Sequence, residues 1–265
     1  MKDIPSFENK VVFVTGGSKG IGRATAHRFA ERGADVALSS RHLDEVSNAA
    51  DAIADATGRT PLPLEADISD PEAVESAYDE IIRRFGQLDV LFANAGINGR
   101  WAPLEDLSLD DWRQTLDINL TGTFLTLKHA VPHLKETKGN VVITASINGT
   151  RDFSLSGATA YATSKAGQQA MAQMLALELA PDGVRVNVIC PGLIDTEIEG
   201  STERGNVEQA RYPAEYPEGR VPLTHGEAGD PDAVADLVAF LASDQARLVT
   251  GSPVWVDGAQ SLFIG

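Results

Sequence analysis

The sequence predicts an α/β fold in which parallel strands carry helices on both faces. Three observations point there. Apolar runs of strand length alternate with stretches of helical period, about six times along the chain. A glycine-rich turn joins the first apolar run to the first helical stretch. The chain of 265 residues, 43% hydrophobic and 23% charged, has the size and balance of one soluble globular domain. A chain this long buries a large core without disulfides or structural metal.

Each element follows from its local pattern. Val11–Val14 is an apolar run closed by Thr15 and two glycines. A helical stretch from Ile21 to Arg32 ends at Gly33. Val36–Leu38 is the second strand, and a helix follows to about Thr57. Pro61–Glu65 is extended. Asp70-Pro71 opens a helix, with a side-chain acceptor at the cap and proline in the first turn, and Gly86 stops it. Leu88–Ala93 and Val141–Thr144 read as buried strands. A helical stretch runs through Tyr161 to Ala180. Val184–Ile189 is apolar apart from Arg185 and Asn187 and ends at Cys190, which reads as a buried thiol rather than a nucleophile. Val234, Leu237, Val238 and Leu241 mark one helical face, and Val254–Val256 is the last strand. No linker or repeat divides residues 1–265. The irregular stretch 195–229 reads as a lid over a site.

Charge and cysteine usage exclude several functions. Lysine plus arginine number 22 and aspartate plus glutamate 38, a net charge of −16. Neutralising phosphates needs a basic surface, so neither a nucleic-acid partner nor an anionic membrane is expected. Half of that charge lies between Asp195 and Asp236, where 11 acidic residues face 3 basic ones. An acidic flap near the substrate mouth favours a neutral carbonyl over a strongly anionic substrate. The single cysteine, Cys190, rules out a disulfide within the chain and fits a reducing compartment. The N-terminal MKDIPSFENK has no apolar core of a signal peptide, and no apolar run is long enough for a membrane span. A cytoplasmic location is expected. Nothing in the sequence calls for a metal.

Two local motifs carry chemistry. Thr15-Gly16-Gly17-Ser18-Lys19-Gly20-Ile21-Gly22 sits between the first strand and the first helix. Glycine there allows a tight turn and lets the backbone approach a pyrophosphate, while the helix N-terminus offers free amides. The turn therefore predicts a dinucleotide. The second strand runs into Ser39-Ser40-Arg41 with no carboxylate, and Lys19 lies on the same side. Two cations and a hydroxyl suit a 2′-phosphate, so NADP(H) is expected over NAD(H). In Tyr161-Ala162-Thr163-Ser164-Lys165, the tyrosine and lysine at i and i+4 share one helix face. An ammonium beside a phenol lowers a pKa that is otherwise about 10, bringing it towards proton transfer near neutrality.

With these motifs in hand, the chain resembles the short-chain dehydrogenase/reductase family, in its single-domain branch of 3-oxoacyl reductases and glucose dehydrogenases. The matching residues span almost the whole chain. They are Thr15-Gly16-x-x-x-Gly20-x-Gly22, Asp67, Asn94-Ala95-Gly96, Asn119, Ser146, Tyr161-x-x-x-Lys165, Pro191-Gly192 with Thr196, and Val256-Asp257-Gly258. The resemblance implies a Rossmann-type, doubly wound, parallel seven-stranded sheet with a small lid over the active site.

It also implies roles. Tyr161 is expected as general acid for carbonyl reduction and base for alcohol oxidation. Lys165 is expected to lower its pKa and bind the nicotinamide ribose. Ser146 would bond the substrate oxygen. Asn119 would hold a water that links Lys165 to solvent. The dinucleotide would lie along Gly16, Ser18, Lys19, Ile21, Ser40 and Arg41. Asp67 and Ile68 are expected at the adenine, although Asp67-Ile68-Ser69-Asp70 also reads as helix capping. Asn94, Ala95 and Gly96 would form the cofactor floor. Pro191, Gly192, Ile194 and Thr196 would hold the nicotinamide amide. Val256-Asp257-Gly258 reads as structural, at a subunit contact, and a homotetramer is expected.

One departure stands out. Ser146 precedes Tyr161 by 15 residues, longer than is usual in the family, with the extra length inside Thr150–Ala160. The pocket there cannot be copied from relatives. Asn98, Arg100, Trp101, Asn148, Phe153 and Leu193 are the side chains expected to face substrate. A small ketone, a 3-oxoacyl thioester, a sugar or polyol, and a cyclic or steroid-like ketone all remain open. The leading function is reduction of a ketone or aldehyde with NADPH. The rivals are oxidation of a sugar, polyol or other secondary alcohol, and a non-catalytic NADP-binding regulator, against which the intact Ser–Tyr–Lys–Asn set argues.

Overall fold

The structure is a computed structural model that describes residues 5–210 and 221–264. Strand and helix alternate from the start: β1 (Val11–Thr15), α1 (Gly20–Glu31), β2 (Asp35–Ser40), α2 (Leu43–Thr57), β3 (Leu62–Glu65), α3 (Pro71–Phe85) and β4 (Val90–Ala93). The chain then forms β5 (Gly99–Trp101), α4 (Leu109–Leu116), a π-helical turn over Asp117–Thr121, and α5 (Gly122–Thr137). It continues with β6 (Asn140–Thr144), α6 (Thr159–Leu179), β7 (Arg185–Pro191), β8 (Thr202–Arg204), α7 (Pro231–Ala242), β9 (Pro253–Val256) and α8 (Gln260–Ile264).

Seven strands form one parallel sheet in the order β3-β2-β1-β4-β6-β7-β9. The expected Rossmann-type sheet is present. Its apolar runs are continuous because both faces are covered. Val11 and Phe13 face α3, α5 and α6, and pack with Tyr78, Ile81, Leu134 and Leu179. Val12 and Val14 face α1, α2 and α7, and pack with Phe29, Ile53, Val234 and Val238. Cys190 is fully buried in the first of these layers, as its apolar run predicts.

Caps and stops follow the sequence. The Asp70 carboxylate accepts from the amides of Glu72 at 3.0 Å and Ala73 at 3.4 Å, and Gly86 closes α3 with φ +79°. Strand order reverses between β1 and β4, and the crevice beyond their carboxyl ends is where such sheets bind ligands.

The expected lid is less irregular than its composition suggests. β8 pairs in parallel with β5, setting Gly99 beside Thr202 and Trp101 beside Arg204. Short 3-10 turns cover Glu197–Ser201, Val207–Gln209 and Pro222–Thr224. Period alone could not show a strand of three residues whose partner lies about a hundred positions away. Residues 211–220 of the lid lie outside the described residues. No described helix is long and apolar enough to cross a membrane.

Candidate active site

A cleft of about 810 Å³ opens at the carboxyl ends of β1 and β4. Every residue expected to hold the dinucleotide lines it: Gly16, Ser18, Lys19, Ile21, Ser40, Arg41, Asp67, Ile68, Asn94, Ala95, Gly96, Tyr161, Lys165, Pro191, Gly192, Ile194 and Thr196. Of the residues expected at the substrate, Asn98, Trp101, Asn148 and Leu193 are there too. The other two, and Asn119 of the expected catalytic set, are placed elsewhere. Phe153 is 78% exposed and does not line the cleft. Arg100 lies against Asp111 at 3.6 Å and Glu203 at 3.8 Å, so charge pairing turns it away from the cavity. Asn119 is fully buried behind the cleft wall.

The glycine turn fits a pyrophosphate. Gly16 and Gly20 take φ +66° and +49°, where glycine meets no Cβ penalty. A Cβ on Gly22 would fall 2.0 Å from the Gly16 carbonyl oxygen, so α1 lies close to the turn only because that residue has no side chain. The first turn of α1 holds no acidic residue, and no side chain caps it. Its amides and positive dipole end are left for an anion.

Asn94 ties this turn to the reacting end. Its amide nitrogen donates to the carbonyls of Thr15 at 3.2 Å and Gly16 at 3.3 Å, and its oxygen accepts from the Thr144 hydroxyl at 3.2 Å. The Thr144 carbonyl in turn accepts from Lys165 Nζ at 2.9 Å. At the other side Gln260 Oε1 accepts from the Leu193 amide at 2.7 Å, and Gly192 donates to the Val256 carbonyl at 3.2 Å. The Val256-Asp257-Gly258 segment thus braces the loop expected at the nicotinamide.

Ser146, Tyr161 and Lys165 are buried and line the cleft together. Lys165 Nζ lies 5.7 Å from the centre of the Tyr161 ring. Burial lowers the Lys165 pKa to about 8, with the Cys190 thiol opposing. Burial raises the Tyr161 phenol above its ordinary value, and the Ser146 hydroxyl beside it opposes that shift. The net direction for this phenol in the protein alone is therefore upward. A buried phenol loses more by desolvation than it gains here from its neighbours.

Asn119 sits in the π-helical turn. Its oxygen accepts from the Ile97 amide at 2.8 Å, and its nitrogen donates to the Ile97 carbonyl at 2.8 Å and to Ser164 Oγ at 3.0 Å. Ser164 donates to the Tyr161 carbonyl at 2.7 Å. A Cβ on Gly96 would lie 3.0 Å from the Asn119 oxygen and 3.6 Å from Lys165 Nζ, so the glycine lets the two approach.

Several lining residues were not singled out from the sequence, Leu155, Arg204 and Glu45 among them. Trp101 packs with Ala158 and Tyr161, with Leu155 against them, an apolar wall beside the phenol. Arg204 of the lid stands 5.0 Å over the Trp101 ring and pairs with Glu199. At the end of the cleft expected to take adenosine, Glu45 in the first turn of α2 holds Lys19 Nζ at 2.7 Å. The sequence signal was there: Glu45 lies four residues beyond Arg41, at the start of the helix that follows β2.

Sheet, glycine turn and Ser–Tyr–Lys cluster together define an oxidoreductase of the short-chain dehydrogenase/reductase family, to which this chain belongs. The enoyl-(acyl carrier protein) reductase family model matches residues 16–259. Glucose 1-dehydrogenase 2 of Bacillus subtilis (strain 168) is 35% identical over 96% of this chain and 95% of its own length. Meso-2,3-butanediol dehydrogenase of Serratia marcescens is 36% identical over 98% of this chain and 97% of its own. A 3-ketoacyl-ACP reductase structure from Sinorhizobium meliloti 1021 superposes with a TM-score of 0.91 at 47% identity, covering 95% of this chain and 99% of that one. The protein is an enzyme of alcohol and ketone substrates, using NAD or NADP.

Proposed function

We propose that this enzyme reduces a neutral ketone or aldehyde to an alcohol, with NADP(H) preferred and Tyr161 as general acid. The observation that carries it is the joint burial of Ser146, Tyr161 and Lys165 on one cleft with the glycine turn. The bound nicotinamide supplies the hydride that becomes the new C–H bond. Tyr161 gives its proton to the carbonyl oxygen, and Ser146 stabilises the charge developing there. Lys165, held on the Thr144 carbonyl, binds the ribose and favours the phenolate that results. Asn119 carries the route by which the proton is replaced, through water at Lys165. A site that holds a phenol above its ordinary pKa suits an acid that must keep its proton until hydride arrives.

Lys19, Ser40 and Arg41 at the adenosine end support the NADP(H) preference. The apolar wall of Trp101, Ala158 and Leu155 supports a neutral carbonyl body. A homotetramer in the cytoplasm completes the reading.

Tyr161→Phe tests the chemistry. Turnover of a ketone panel with NADPH should fall by about 100-fold or more, while NADPH affinity stays within about twofold. Retention of more than a few per cent of activity overturns the assignment. In the same panel, a lower KM for NADH than for NADPH overturns the cofactor preference.

A further inference from the structure

Glu45 supplies the carboxylate that the end of β2 lacks, and it does so from a different element. It sits in the first turn of α2, lines the cleft beside Ser40, Arg41 and His42, and its Oε1 lies 2.7 Å from Lys19 Nζ. Lys19 comes from the glycine turn, so the pair spans the adenosine end from one wall to the other. The Ser40 hydroxyl is engaged within its own turn, donating to the His42 carbonyl at 2.9 Å and accepting from the His42 amide at 3.2 Å. Arg41 is exposed.

A 2′-phosphate needs that end to be cationic, and Glu45 cancels one of its two lysine and arginine charges. The Lys19 and Glu45 side chains are 50% and 34% exposed, and an ion pair in such surroundings holds weakly. A phosphate dianion can therefore take Lys19, but only by breaking the pair, and the freed carboxylate stays nearby as a like charge. A ribose with a free 2′-hydroxyl makes no such demand and leaves the pair intact.

We propose that Glu45 is a specificity-determining residue that competes with the 2′-phosphate for Lys19 and so narrows the preference between NADP(H) and NAD(H). This rests on the reading of Lys19 as a phosphate ligand. It follows that the enzyme accepts both cofactors more evenly than its Ser40-Arg41 ending suggests.

The test is a double-mutant cycle on cofactor Kd, read by nicotinamide fluorescence with NADPH and NADH. The proteins are the wild type, Glu45→Gln, Lys19→Ala and the double variant. Glu45→Gln should shift the Kd ratio towards NADPH by about threefold or more. In the Lys19→Ala background that shift should drop to half or less on a logarithmic scale. A shift below threefold, or one that does not drop so far without Lys19, overturns the proposal. If Lys19→Ala alone leaves the NADPH Kd unaltered, the phosphate reading itself fails. If Lys19→Ala weakens NADPH but Glu45→Gln does not tighten it, only the role of Glu45 fails. NADH binding in each variant reports that the fold is intact.

Discussion

Burial at the floor of the cleft acts in opposite directions on Tyr161 and Lys165, because one ionises to an anion and the other to a cation. Desolvation raises the phenol and lowers the ammonium to about 8. For Lys165 the consequence reaches stability. Below pH 8 both folded and unfolded chains carry the charge, and the folded state bears its full burial cost. Between about 8 and the ordinary value of 10.5 the unfolded chain binds more protons, so stability rises with pH. Above that range the cost is gone. Lys165→Met removes the titration, so the wild type should gain about 3 kcal/mol relative to the variant across this window. Urea unfolding of both proteins from pH 7.5 to 10.5 measures it, and a constant difference would sink the claim. Of these facts, the pairing of Tyr161 with Lys165 was legible from the i, i+4 spacing. The direction of the phenol shift was not, because it comes from burial, to which Trp101 contributes from β5, about sixty residues earlier in the chain.

Two glycines show how an element's place in the site, rather than its type, sets the cost of a side chain. Gly22 lies in α1 with its would-be Cβ 2.0 Å from the Gly16 carbonyl oxygen and 2.8 Å from the Asn94 amide nitrogen. Backbone cannot step aside there without opening the turn. Gly58 caps α2 with φ +73° and nothing within 4 Å. Gly22→Ala should cost about 1–3 kcal/mol of stability and also most of the cofactor affinity. Gly58→Ala should cost about 1 kcal/mol and leave cofactor binding as it was. Thermal unfolding and NADPH titration separate the two; equal losses of affinity would refute the close approach of α1 to the turn. The sequence made these main-sheet elements legible, since runs such as Val11–Val14 are apolar on both faces and glycines close the helices. It was silent on β5 and β8, whose three-residue ladder depends on the Asn98 amide donating to Ser201 Oγ at 2.9 Å and its side chain to Thr202 Oγ1 at 2.8 Å. Such contacts leave no period in the chain.

Across the whole molecule the net charge of −16 is distributed differently from its linear count. Asp236 of α7 pairs with Arg28 at 3.2 Å and Arg32 at 2.6 Å, binding α7 to α1 rather than facing the substrate. Glu197 and Glu199 do line the cleft, and Glu199 is paired with Arg204. The acidic flap at the mouth is thus smaller than the run from Asp195 to Asp236 implied. Among the described residues, several large apolar side chains are left uncovered on the single chain. Leu109 and Phe124 on α4 and α5 are 60% and 50% exposed. Met174 and Leu177 on α6 are 71% and 79% exposed, and Leu248 and Leu262 flanking the edge strand β9 are 92% and 71%. A Cβ on Gly251 would lie 3.3 Å from Ala176 Cβ, so the approach to β9 runs against α6. Apolar surface of this kind, beside an open strand edge, calls for a partner. We propose that two separate stretches, each meeting its own copy across a two-fold axis, build a tetramer. Light scattering at physiological salt should give a mass about four times 28.2 kDa. Phe124→Glu on the helix face and Leu262→Glu beside β9 should each reduce it to a dimer by disabling one contact, and a wild-type monomer would overturn the assembly.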